Sequence, residues 1–193
     1  MTDVDALVRL PIEHSGTPIE MASATAIFET ICGEALTIEV FTRATRCLTA
    51  QEYQLLTPSD ATIGHERRGL LRTGTGVPAA ETTAVVLTQR VPGEARGVLG
   101  MSLTGAQLPV RNSVPLGKAL QGLGVTWELL EARNTPARSD ASGEEQVIYL
   151  AVRLWRTAVP MGLVRQRATR CSAGAEFFTR APGEQERAAR RRT

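Results

Sequence analysis

Extended segments in this chain follow one another through links too short to hold a crossover helix, which restricts the sheet they form to antiparallel pairing. His65–Arg72 is followed by the glycine-bearing turn Thr73-Gly74-Thr75-Gly76, then by a second extended run from about Ala80 to Val91 that ends at Pro92-Gly93. Gln146–Arg156 and Met161–Thr169 flank a tight turn at Thr157–Pro160. Leu36, Ile38 and Val40 alternate with Thr37 and Glu39, which predicts a half-buried strand over Ala35–Thr42. Val125, Trp127 and Leu129 alternate in the same way, and Asn134–Gly143 reads as a polar loop.

Helices punctuate this series. Ser23 is a plausible N-cap for a helix to Cys32, with i,i+4 apolar pairs at Ile27/Ile31 and Phe28/Cys32 and Gly33 just past the end. Thr49-Ala-Gln-Glu52 has the capping-box pattern and opens a short helix through Leu55. Pro115-Leu116-Gly117 reads as a helix start, with proline in the first turn. Residues 93–112 are Gly-rich and carry no clear period. The sum is an α+β class: a single domain with an antiparallel sheet of about six strands and helices packed on one face. The expected limits are a flexible arm over 1–19, the domain over 20–172 and a basic tail over 173–193.

Charge narrows the partners. The chain has 193 residues, 42% hydrophobic, with a formal net charge of +2. Its basic residues are arginines except for Lys118. Arg180–Thr193 holds five Arg and two Glu, so the other 179 residues are at net −1. A near-neutral body gives no electrostatic footprint for a duplex, and nucleic acid is not an expected partner. No apolar run is long enough to cross a membrane, the N-terminus lacks a signal-peptide pattern, and the expected location is the cytoplasm. Cys32, Cys47 and Cys171 are odd in number and widely spaced, and read as buried small hydrophobes in place of a metal or disulfide frame.

Few motifs carry chemistry. Gly74-Thr75-Gly76 lacks the downstream elements of a phosphate loop and reads as a turn. His14 and His65 have no elbow motif beside them, and no paired-carboxylate or HExxH spacing appears, so no metal is expected. What stands out is arginine inside strands: Arg67 and Arg68, then Arg153, Arg156, Arg165 and Arg167. Alternation sends one of Arg67 and Arg68 inward. That guanidinium either snorkels to water at a sheet edge or binds a carboxylate inside a cavity; register decides which of the two it is.

Several short pieces, in order, line up with one family. Ser23-Ala24-Thr25-Ala26-Ile27-Phe28-Glu29 with the Leu36–Val40 strand, Arg67-Arg68-Gly69-Leu70-Leu71, Ala79-Ala80-Glu81-Thr82, Pro115-Leu116-Gly117, and Arg153-Leu154 with Pro160 together resemble the chorismate pyruvate-lyase family, including its actinobacterial branch. More distantly they resemble the ligand-sensing UTRA domains that share its fold. The resemblance spans roughly residues 20–170. It implies a cofactor-independent enzyme that releases pyruvate from chorismate and leaves 4-hydroxybenzoate. It also implies a small carboxylated substrate held by Arg67 or Arg68, with Ala24 and Thr83 at the pocket and backbone N–H donors at Leu116 and Gly117. The family's last-strand glutamate is replaced by Arg165, or by Gln166 with a one-residue slip. A second pocket arginine of the family maps to Glu81 or Thr83. Glu81, Gln166 and Arg165 are therefore the expected catalytic positions. The main expectation is a lyase-like enzyme. The alternatives are the same fold turned to cyclisation, dehydration or isomerisation, and a UTRA-like binding module without catalysis.

Overall fold

The computed structural model describes residues 23–57, 63–101, 114–137 and 145–171. The expected arm, the basic tail, and the stretches 102–113 and 138–144 lie outside the described residues. Along the chain run α1 (Ala24–Cys32), β1 (Thr37–Cys47), α2 (Ala50–Leu56), β2 (Ile63–Arg72), β3 (Pro78–Val86), a 3-10 turn (Thr88–Arg90), α3 (Gly93–Leu99), α4 (Leu116–Leu120), β4 (Val125–Ala137), β5 (Glu145–Arg156) and β6 (Val159–Cys171). The six strands form one sheet in the order β1-β2-β3-β6-β5-β4, antiparallel throughout.

Local chemistry sets the helices. The Ser23 hydroxyl accepts from the Ala26 N–H at 3.1 Å and starts α1, and Gly33 ends it in the left-handed conformation at φ 73°. Thr49 and Glu52 form a complete capping box at α2. The Gly-rich stretch after Pro92 does hold a helix, α3, closed by Gly100 at φ 68°. Its period was hidden because Gly93 and Gly97 break the apolar pattern of a seven-residue helix.

Three strand limits differ from the sequence expectation. β1 continues to Cys47 because a bulge between Val40 and Thr42 resets its pairing with β2. β3 stops at Val86, where the chain turns so that the Leu87 N–H donates to the Met161 carbonyl at 2.8 Å and Arg90 Nη1 donates to the Pro160 carbonyl at 2.6 Å. β4 runs through Asn134 to Ala137, residues expected in a loop, because each has a β5 partner. Cys47 is exposed and Cys32 is half-buried, not core hydrophobes as expected.

The core sits mainly on one face of the sheet. Phe28, Leu36, Ile38, Leu71 and Ile148 pack beneath α1, and Trp127, Leu154, Met161, Leu99, Leu116 and Leu120 pack beneath α3 and α4. On the other face α2 lays Leu56 on Leu87 and Leu163. Among the described residues, no helix is long and apolar enough to cross a membrane.

Candidate functional site

The β2–β3–β6 register sorts the candidate residues. Arg67 pairs with Ala84, which pairs with Val164, and Thr82 pairs with Gln166. Paired residues share a face, so Arg67, Thr82, Ala84, Val164 and Gln166 all look toward α1 and α4. There they floor a cavity roofed by Ala24 and Thr25 of α1 and by Pro115, Leu116 and Gly117 at the start of α4. Ile38, Leu71 and Trp127 complete an apolar wall. Of the expected site residues, the cavity therefore gathers Arg67, Gln166, Ala24, Leu116 and Gly117. Arg68, Glu81, Thr83 and Arg165 belong to the alternate positions of the same strands and lie on the opposite face. Thr25, Thr82 and Trp127 line the cavity without having been singled out; the Val125–Leu129 alternation already carried the inward signal for Trp127.

The cavity is small. Its free volume is ≈10 Å³, close to that of about one ordered water. The roof is tight: a Cβ on Gly117 would stand 2.5 Å from Ser23 Cβ. Glycine at that position lets the first turn of α4 rest against the N-cap of α1.

Arg67 dominates the electrostatics. It is 2% exposed. Its Nη2 donates to the Val114 carbonyl at 3.0 Å. Among the described residues, Nε and Nη1 have no hydrogen-bond partner. Burial, and then the Arg43 guanidinium across the strand pair, pull its pKa down to about 10, so it stays charged at neutral pH. Gln166 is equally buried, and its Oε1 accepts from no donor among the described residues. Buried polar atoms are normally satisfied, so these orphans need a reason. They face the same small space from two strands.

The opposite face carries the acids. Arg46 bridges the buried Glu52, at 2.7 and 2.8 Å, and the buried Glu66, which Arg68 also contacts. The Arg46 hydrogen bonds hold the Glu52 carboxyl down at about 2. Arg165 Nη1 lies 3.8 Å from Glu52. Farther along, Glu128 takes Arg153 in a two-pronged pair at 2.7 and 2.8 Å and also accepts from Trp155 Nε1. These carboxylates are committed to cations on a face the cavity does not reach. Among the described residues no group of His, Cys, Asp or Glu is arranged to hold a metal ion.

A six-stranded antiparallel sheet in this order, with helices roofing a small cavity, defines the α+β fold shared by chorismate lyases and UTRA domains. No protein-family model matches the chain, and no curated protein matches it. Solved structures do. PhnF from Mycobacterium smegmatis is 14% identical with a TM-score of 0.53, over 78% of this chain and 65% of PhnF. The effector domain of PhnF alone aligns at 15% identity and TM-score 0.48, over 78% of this chain and 90% of that domain. The C-terminal domain of the histidine utilization repressor from Pseudomonas syringae pv. tomato aligns at 13% identity and TM-score 0.48, over 76% of this chain and 99% of that domain. The chain spans about two thirds of PhnF's length, 65%.

The expectation of a chorismate lyase-like enzyme is corrected here. No family model and no curated protein supports a lyase, and PhnF, similar in structure at a TM-score of 0.53, has a domain described as its effector domain. Among the described lining residues of the cavity none is a carboxylate.

Proposed function

We propose that this domain is a binding module that holds a small anionic molecule between the sheet and the α1–α4 roof, without transforming it. Arg67 carries the proposal: a charged guanidinium almost wholly removed from water, with two nitrogens unpartnered among the described residues. Leaving such a group without a counter-charge costs several kcal/mol of folding free energy, of order ~3. Anion binding gives that cost a purpose, since a bound anion supplies the missing charge and hydrogen bonds together. The apolar wall of Ile38, Leu71 and Trp127 fits the body of an organic ligand, and Gln166 Oε1 fits a ligand hydroxyl or N–H.

Room for an organic ligand requires the roof to lift, because the free volume is little more than that of a water. Binding is then coupled to the relative position of α1 and α4, as a responsive module needs. The test is a thermal-shift and calorimetric panel on the full chain with benzoate, 4-hydroxybenzoate, glutarate and inorganic phosphate. At least one member should raise the melting temperature with saturation, and Arg67→Met should abolish that rise. A panel that binds Arg67→Met as well as the parent chain would overturn the proposal, as would conversion of a bound member to a product.

A further inference from the structure

One buried titratable group stands outside the binding scheme above. His65 lies two residues before Arg67 on β2 and faces the same side of the sheet, opposite Thr45 of β1 and Val86 of β3. Same-face neighbours on a strand have Cα atoms about 6.8 Å apart. The ring is 6% exposed, and its Nε2 has no hydrogen-bond partner among the described residues. A buried nitrogen normally meets a partner, so this one needs a reason as Arg67 does.

The described surroundings of the ring are apolar or positive. Val86 belongs to the cluster in which α3 lays Ala95 and Leu99 on the sheet. Of the charged residues of α3, Glu94 is exposed and Arg96 half-buried. Arg67 shares the strand, and Arg43 stands diagonally across on β1. The α1 carboxylate, Glu29, is engaged by Lys118 Nζ at 2.6 Å and by the Leu36 N–H at 2.8 Å. Glu66, between His65 and Arg67 in the chain, points to the other face and to Arg46. Burial first, then the charges of Arg43 and Arg67, hold the imidazole pKa down, so the ring is neutral at pH 7.

An anion at Arg67 changes that balance. It offsets the field of Arg67 at the ring and brings an opposite charge close, and both effects favour the imidazolium. In the neutral ring with its hydrogen on Nδ1, Nε2 offers only a lone pair, which repels a carboxylate oxygen. A proton taken from solvent onto Nε2 turns it into a charge-assisted donor. We infer that His65 is part of the anion site and takes up a proton when a carboxylate binds at Arg67. The inference rests on the proposed binding function and links it to pH. Affinity is level below the midpoint of the free ring. It falls by up to about tenfold per pH unit between the free and bound midpoints, and is level again above.

Calorimetry of the full chain with benzoate, 4-hydroxybenzoate and glutarate tests this, because their carboxyl groups stay ionised from pH 7 to pH 8. Titrations at pH 7 in two buffers of different ionisation enthalpy count the protons. At least about 0.3 proton should be taken up per bound ligand, and affinity should fall about threefold or more between pH 7 and pH 8. His65→Gln should flatten that dependence. The site of uptake is read directly by NMR, since His14 is the only other histidine. In His14→Gln the remaining imidazole resonance belongs to His65, and saturation with the ligand should move its titration midpoint up by about one pH unit or more. A carboxylate that binds while the His65 midpoint stays put would overturn the inference and leave the binding function standing; a neutral ring already carrying its hydrogen on Nε2 gives that result. Silence of all three carboxylates would also overturn it, and silence of inorganic phosphate as well would bring down the binding function. The NMR titration leaves His65 in place, so a poorly folded His65→Gln does not blunt the test.

Discussion

Arg67 on β2 and Gln166 on β6 face one cavity from opposite sides of β3, each 2% exposed and each with a polar atom that meets no hydrogen-bonding group among the described residues. A sheet interior seldom tolerates two such atoms side by side. The cavity is therefore a place where the fold gives up stability, and the predictions below measure that loss.

Arg67→Met should stabilise the ligand-free domain. Methionine keeps the volume and removes the uncompensated charge. We expect a gain of about 1–3 kcal/mol, read as a rise in melting temperature of several degrees, with anion binding lost in the same variant. A fall in stability would show that Arg67 is already satisfied in the free protein.

Gln166→Leu follows the same logic on a smaller scale. The buried Oε1 costs about 1–3 kcal/mol when unmet, so leucine should be neutral or mildly stabilising in urea titrations. A ligand with a hydroxyl or N–H donor should lose about tenfold in affinity, while one without a donor should lose little. Equal losses for both would remove Gln166 from the recognition scheme.

Gly117→Ala tests the roof. The new Cβ would meet Ser23 Cβ at 2.5 Å, and forced repacking of this kind costs about 1–3 kcal/mol. Ser23→Gly removes the obstructing Cβ and costs only a few tenths of a kcal/mol as a cap change. The double variant should therefore recover most of the loss seen in chemical denaturation. Additive losses would mean that the two helix ends do not constrain each other.

Acid titration probes the other face. Glu52 is held near pKa 2 by Arg46, below an ordinary unfolded-state value of about 4.3. Its stabilising contribution is complete above about pH 4.3 and is lost as pH falls toward about 2. The magnitude is on the order of 3 kcal/mol. Arg46→Met should abolish this acid-dependent part and also destabilise the domain at neutral pH by about 3–5 kcal/mol, because Glu52 and Glu66 would be left buried without their shared cation. An unchanged acid midpoint in Arg46→Met would refute that assignment.

Much of this arrangement is legible in the sequence, for definable reasons. Short turns such as Thr73–Gly76 and Thr157–Pro160 force antiparallel neighbours, and the Ser23 and Thr49 caps mark their helices by side-chain chemistry alone. The choice between Arg67 and Arg68 could not be read, because adjacent residues point oppositely and only pairing with β3 fixes the phase. The same phase carries Glu81, Thr83 and Arg165 away from the cavity. α3 stayed hidden behind its glycines, and β3 was read too long because Leu87 and Val91 continue its apolar character through a turn. His65 could not be grouped with Arg43 from sequence, since the two stand twenty-two positions apart and only the β1–β2 ladder brings them together.

That ladder depends on the surplus residue Phe41 in β1, which is passed over in the pairing between Val40 and Thr42 and is 54% exposed. Strict alternation from Ile38 and Val40 would turn Thr42 and Arg46 inward and Arg43 outward. With Phe41 passed over, Arg43 goes in and Arg46 goes out. One unpaired residue thus acts as a reading-frame setting for the strand: it puts Arg43 on the face of Arg67 and Arg46 with the two acids behind the sheet. An insertion or deletion elsewhere in the second half of β1 would exchange those assignments, and Glu52 and Glu66 would lose their shared cation.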